Sequence, residues 1–159
     1  MQVHGLQWDS AAGDFPPRAR LKALYVNGKF ATRPARYRRG LVWIDVTGAD
    51  PSGAFWLDVE RGDATPGHVA AWLDARAASG AGPGGIYCDR SALPAVEDAA
   101  GSRDHWLWVA TLDGTADVTL PGGCGRLAAV QDYPASMVGL DADLSIVVDR
   151  DYWSAHALP

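Results

Sequence analysis

Eight short apolar runs, each bounded by Gly, Pro, Asp or Ser, limit most strongly what this chain can fold into. They are HGLQW (4–8), ALYVNG (23–28), LVWIDV (41–46), AFWLDV (54–59), GIYC (85–88), HWLWVAT (105–111), RLAAVQ (126–131) and LSIVVD (144–149). Runs of this length and composition read as β-strands. Several are apolar on both faces, as parallel strands covered by helices are. Two intervals carry helix signals. Thr65-Pro66 supplies an N-cap and first-turn proline, and Val69, Trp72, Leu73 and Ala77 follow at helical spacing until Gly80. Ser91 opens a second helix, SALPAVEDAAG, which Gly101 closes. ADPSG leaves no room for a helix between the third and fourth strands, and LDGTADVTLPGG reads as a small hairpin.

Eight strands with some strand–helix units point to an α/β fold, a compact and helix-depleted TIM-type (β/α)8 barrel. Such barrels usually need about 250 residues, so 159 residues imply that several outer helices are lost. The whole chain, 1–159, is expected to form one domain of this kind. An open doubly wound sheet is the structural alternative.

AFWLDVERGDATP (54–66) is the stretch with chemistry in it. Side chains alternate along a strand, so Trp56, Asp58 and Glu60 share one face while Phe55, Leu57 and Val59 share the other. If the second face meets the helices, the two acids point into the barrel at its C-terminal mouth, where barrel enzymes keep their sites. Asp9, Asp45, Asp89 and Asp113 also end strands. Asp143 enters the last strand, which places it at the opposite end if that strand begins there. Clustered carboxylates raise one another's pKa, and burial raises them further. One can then stay protonated as a general acid while another is ionised, as glycoside hydrolysis requires. Asp63, Asp74, Asp98 and Asp104 are read as structural, capping helices or binding loop backbone.

Taken in order, FWLDVE, a helix, GIYC, HWLWVA, AVQDY and DLSIVV resemble the second half of the family 25 glycoside hydrolases, the muramidase-type lysozymes. The likeness is closer still to the glycoside-hydrolase-like domains of actinobacteria and their phages, whose short first strand ends in Asp as QWDSA does here. The resemblance implies that Glu60 is the proton donor. It implies that Asp58 orients or stabilises the reacting group, and that Asp9 is the acid of strand one. Asp143 would be the acid of a closing Val-Asp-x-Asn motif, with Asp141 as a rival. The implied substrate is peptidoglycan or another glycan, with no cofactor. Gln131 and Tyr133 fall on the family's Trp-Gln-Tyr strand, here Val130-Gln131-Asp132-Tyr133, which lacks the Trp and gains a residue. Trp8 and Trp56, beside or on the face of a candidate acid, are the tryptophans to examine as sugar platforms. Because aromatics of the family pattern are missing, a second reading stands beside the first: a catalytically silent barrel serving as a glycan-binding or structural module, for example in a phage particle.

The scattered His4, His68, His105 and His156 and the spacing of Cys88 and Cys124 predict no metal site. The two thiols are expected to be unbonded, one near each end of the barrel. No apolar run approaches the ~20 residues of a membrane span. The N-terminus lacks a secretion signal, so the chain is expected to be cytoplasmic as made, or delivered by phage or lysis, or borne on a virion. Charge is polarised. Residues 15–44 hold eight bases (Arg18, Arg20, Lys22, Lys29, Arg33, Arg36, Arg38 and Arg39) and no acid, while the other 129 residues carry nineteen acids and six bases. Segment 18–39 is therefore a candidate contact for a polyanion or an assembly partner. Nucleic acid is the weaker option, because Tyr37 alone interleaves RPARYRRG.

Overall fold

The computed structural model describes residues 1–32, 37, 39–115, 117–123, 125–134 and 141–158. Cys124 and Arg33, Arg36 and Arg38 of the basic segment lie outside the described residues. Eight strands form, in the order expected: β1 (Gly5–Asp9), β2 (Leu21–Tyr25), β3 (Leu41–Asp45), β4 (Trp56–Val59), β5 (Gly85–Asp89), β6 (His105–Ala110), β7 (Gly125–Tyr133) and β8 (Asp143–Val147). Each pairs with the next, and β8 closes on β1, giving a closed barrel rather than an open sheet. β1 to β7 are parallel to one another. β8 runs antiparallel to both β7 and β1.

That reversal departs from the expected TIM-type (β/α)8 barrel, whose eight strands are all parallel. Three helices form among the described residues, α1 (Pro66–Ala78) after β4, α2 (Leu93–Ala100) after β5 and α3 (Arg150–His156) after β8. The coarse result is a mixed eight-stranded barrel with helices on part of its outside. Segment 111–123 holds no strand among its described residues, so the expected hairpin does not form. No helix among the described residues is long and apolar enough to cross a membrane.

Strand parity divides the apolar residues into two groups. Ile44, Trp56, Tyr87, Trp106, Trp108 and Val147 fill the barrel, facing small residues such as Ala23, Ala110 and Ala129. Leu57, Val59, Ile86, Cys88, Leu107 and Val109 face outward against Val69, Trp72, Leu73, Leu93 and Val96 of α1 and α2. Cys88 is thus a free thiol in an apolar layer, and burial pushes its pKa up to about 12. Gly85 is needed for the inner packing, because a Cβ there would run into the Trp56 ring.

Two helix details depart from expectation. The buried stripe of α1 is Val69, Trp72, Leu73 and Arg76 rather than ending on Ala77. Arg76 donates to the carbonyls of Pro51 (3.0 Å), Ala54 and Ala81 (3.1 Å), so its charge ties two loops to the helix. α2 begins after Ala92 rather than Ser91, and Asp89 acts as the acceptor at its start. The Asp89 carboxylate takes bonds from the Ser91 hydroxyl (2.6 Å) and the Ala92 amide (2.9 Å).

α3 has no counterpart among the elements expected from the sequence. Asp149 caps it by accepting from the Tyr152 amide at 2.8 Å. Because β8 is reversed, α3 follows it at the N-terminal end of the seven parallel strands and seals the barrel there. The fully buried Tyr152 hydroxyl donates to Gln7 Oε1 (2.6 Å) and accepts from Trp56 Nε1 (3.0 Å). Trp108 Nε1 donates to Ser145 Oγ (2.9 Å), so the barrel's aromatic filling also has its polar edges paired.

Candidate active site

The opposite end of the barrel gathers acids. On β4, Trp56 and Asp58 point inward and Leu57 and Val59 outward, the parity predicted from AFWLDVE. Asp58 is 3% exposed, and Glu60, one residue past the strand, is half-buried. Asp9 ends β1 and is 5% exposed. Asp143 opens β8, and the reversed direction of that strand brings it to the same mouth, directly opposite Asp9 in the antiparallel register. Opposed residues of an antiparallel pair share a face with Cβ atoms about 5 Å apart. The expectation that Asp143 lies at the far end is thereby overturned, although the strand does begin at this residue. Asp141 is exposed, and its backbone carbonyl accepts from Ser10 Oγ at 2.6 Å.

Burial pushes the Asp9 carboxyl well above its ordinary range, and the charges of Asp143, Asp58 and Glu60 add to that push. Asp58 is raised to about 8, first by burial, then by Glu60 and Asp63. Burial also raises Glu60. The Tyr87 hydroxyl draws it back, and Asp89, Asp63 and Asp143 push it further up. The strongest charges acting on these three groups are all carboxylates. One oxygen of Asp9 and one of Asp58 are buried without a protein hydrogen-bond partner. A bare carboxylate in that position is costly, and retaining the proton relieves the cost. Burial and like charge thus favour the protonated form of these carboxyls.

Two tyrosines belong to this site and were missed in the sequence. Tyr87 stands beside Asp58 in the β4–β5 register, and its hydroxyl donates to Gln131 Oε1 at 2.6 Å. Tyr25 ends β2. Burial raises the pKa of both phenols, and so do the neighbouring acids. The parity of GIYC already placed Tyr87 inward, since Ile86 and Cys88 had to face the helices.

The candidate sugar contacts separate. Gln131 is buried at the mouth through its bond with Tyr87, and Tyr133, beyond a register shift in the β7–β8 ladder, is 39% exposed. Trp56 is wholly buried and bonded to Tyr152, so it is a floor under the acids and presents no stacking face. Trp8 points away from the acids, since Gln7 and Asp9 take the inner face of β1. It lines an outer cavity with Arg18, Arg20 and Trp153.

Beside the acids, Gly28, Lys29, Val46, Thr47, Arg61, Gly62 and Asp63 line a cavity of about 320 Å³ on the loops after β2, β3 and β4. The described part of the basic segment is not one continuous face: Lys29 sits at the mouth, and Arg18 and Arg20 sit near the sealed end. Among the described residues no three His, Cys, Asp or Glu side chains are grouped to hold a metal ion. No protein-family model, curated protein or solved structure matches this chain.

Proposed function

We propose that this chain is a helix-depleted relative of the TIM-type glycoside hydrolases, with its last strand reversed, and that its acid mouth cleaves glycosidic bonds in an amino-sugar polymer of the peptidoglycan kind. The observation that carries the reading is the convergence of Asp9, Asp58, Glu60 and Asp143 on one end of the barrel. Glu60, the more open of the raised acids, gives its proton to the glycosidic oxygen. Positive charge then develops at the anomeric carbon and favours ionisation of Asp58, whose acidity was suppressed only by burial and like charge. Asp58 can pass its proton to the emptied Glu60 and remain as the stabilising anion, or orient the substrate's 2-acetamido group. Water then adds to the anomeric carbon and its proton returns to Asp58, restoring both acids. Asp9 and Asp143 set the field around this pair. Gln131 and Tyr133 lie on the mouth side of β7 for contact with the sugar. A chain acting on such a polymer works where cell wall is exposed, as after phage delivery or lysis.

Release of reducing ends from purified cell walls, compared between the parent protein and Glu60→Gln across pH 4 to 8, tests the reading. Release by the parent that falls about 10²–10⁴-fold in the variant supports it. Equal background from two folded proteins removes the hydrolase.

A second reading has its own observation. Asp9 and Asp58 are almost closed off from solvent, at 5% and 3% exposure. A barrel that keeps acids under cover without admitting a sugar is a silent binding or structural module. Binding of cell-wall fragments without cleavage would favour it.

A further inference from the structure

Two features singled out in the sequence are left over by the acid mouth: Trp8, and the start of the basic segment. The fold brings them together on the outside of the barrel near its sealed end. Trp8 and Leu6 occupy the outer face of β1, and the register sets Trp8 beside Lys22 of β2. With His4, Gly5, Arg18, Ala19, Arg20 and Trp153, they enclose a cavity of about 220 Å³, roughly the room for one sugar ring. Its lining contains two arginines and no acid.

The arrangement is built rather than incidental. The Trp153 indole lies against the backbone of β1, which is possible only because residue 5 is glycine: a Cβ there would overlap the ring. The Arg20 guanidinium stacks on Trp153, 5.3 Å from the ring centroid, and its Nε donates to the Leu158 carbonyl at 2.7 Å. One edge of the guanidinium is thereby fixed, and its terminal nitrogens remain to meet an anion. Arg18 stands exposed at the other side of the cavity. Lys22 does not line the cavity: its ammonium is buried, donates to the Ala19 carbonyl at 2.5 Å and lies over the Tyr37 ring. Trp8 is half-buried and supplies the remaining aromatic wall.

We propose that this cavity is a second binding site, separate from the acid mouth, for an acidic sugar: a pyranose ring carrying a carboxylate. Three features select that chemistry. A flat indole suits the C–H face of a sugar ring. A held guanidinium suits a planar carboxylate, which it can meet with two parallel N–H bonds. On a uronate ring the carboxylate projects from the ring edge, so one residue can stack on Trp8 while its charge reaches Arg18 or Arg20. A polyol phosphate has charge but no ring to stack. Single-stranded nucleic acid wants a basic track along its backbone, whereas only two arginines face this cavity and the chain as a whole carries a net charge of −5.

The probe is an oligomer of galacturonic acid, titrated calorimetrically into the full chain at low salt and at 0.5 M salt. A neutral galactose oligomer, a polyol phosphate and a single-stranded oligonucleotide serve as comparisons. The expected result is saturable binding of the galacturonate oligomer that weakens at least fivefold in high salt. It should weaken about tenfold in Arg18→Ala and in Trp8→Phe, with the Trp8 indole N–H resonance moving on titration. Arg18 is exposed and Trp8 half-buried, and thermal melts matching the parent show that the variants fold. Glu60→Gln should bind as the parent does, which keeps this site's test independent of the mouth's. Equal binding of the neutral oligomer, tighter binding of the phosphate polymer or the oligonucleotide, no binding, or affinity untouched by both substitutions would each overturn the proposal.

Discussion

Asp45 and Asp58 sit near the ends of adjacent strands, both buried, and their surroundings treat them in opposite ways. Asp45 belongs to the outer face of β3. It accepts from Asn27 Nδ2 (2.8 Å), the amides of Thr47 (2.9 Å), Gly48 (2.8 Å) and Asp50 (2.7 Å), and Trp72 Nε1 on α1 (3.0 Å). Burial pushes its pKa up, but these donors outweigh it and hold the carboxylate below its ordinary range. Asp58 belongs to the inner face of β4, has a buried oxygen without a protein partner, and is pushed up to about 8. The same residue type is a structural anchor on one face and a proton reservoir on the other. One position of strand parity decides which.

The largest expected effect comes from breaking the anchor. Asp45→Ala removes the acceptor that six donors share, the Thr47 hydroxyl (3.2 Å) among them, and leaves the buried Trp72 Nε1 without its partner. It should cost about 3–5 kcal/mol at neutral pH, read from the urea midpoint at unchanged slope. A cost under about 1 kcal/mol would mean that the loop after β3 does not depend on this carboxylate. Because its folded pKa is depressed, Asp45 contributes stability above the unfolded value near 4 and loses it as pH falls through the folded value.

Asp58→Asn should act in the other direction. The folded pKa is raised, so between about 4 and about 8 the folded protein holds a proton that the unfolded chain has lost, and stability falls as pH rises through that window. Each pH unit of that window is worth up to about 1.4 kcal/mol. The variant removes this decline. It should match the parent near pH 4 and exceed it by about 2–4 kcal/mol at pH 8. Parallel stability curves for the two proteins across pH 4 to 8 would show that Asp58 ionises freely and that the mouth stores no proton there.

Much of this contrast was readable in the chain. The alternation in AFWLDVE put Asp58 on the barrel side because Leu57 and Val59 needed the helices, and the same parity in LVWIDV separates Asp45 from Ile44. All eight strands were visible because turn residues punctuate short apolar runs. Strand direction was not, since nothing in DLSIVVD distinguishes a parallel strand from an antiparallel one. The placement of Asp143 therefore waited for the β1–β8 register. The seven-residue helix RDYWSAH is too short for a periodic pattern to emerge, although Asp149 is an ordinary N-cap. Arg76 hid in the apolar stripe of α1 because its charge is satisfied by carbonyls from distant loops. In the sequence, Trp8 adjoins a candidate acid and Trp56 shares a strand face with two. In the fold, one faces outward and the other lies beneath the site.

The smallest effect sharpens the comparison most. Tyr87→Phe leaves the ring between Trp108 and the acids but takes away the hydroxyl that lowers Glu60 and bonds Gln131. Loss of the Gln131 bond should cost about 1 kcal/mol of stability. Without the hydroxyl, burial and like charge act on Glu60 unopposed, and its pKa should rise above the parent's. Side-chain carboxyl ¹³C shifts followed across a titration would read this directly, with Asp45 as the internal reference that does not move. If Glu60 moves and Asp45 does not, the mouth is a coupled set of acids tuned by its phenols. If neither moves, Tyr87 serves only to hold Gln131, and the proton affinity of Glu60 comes from burial and the surrounding carboxylates alone.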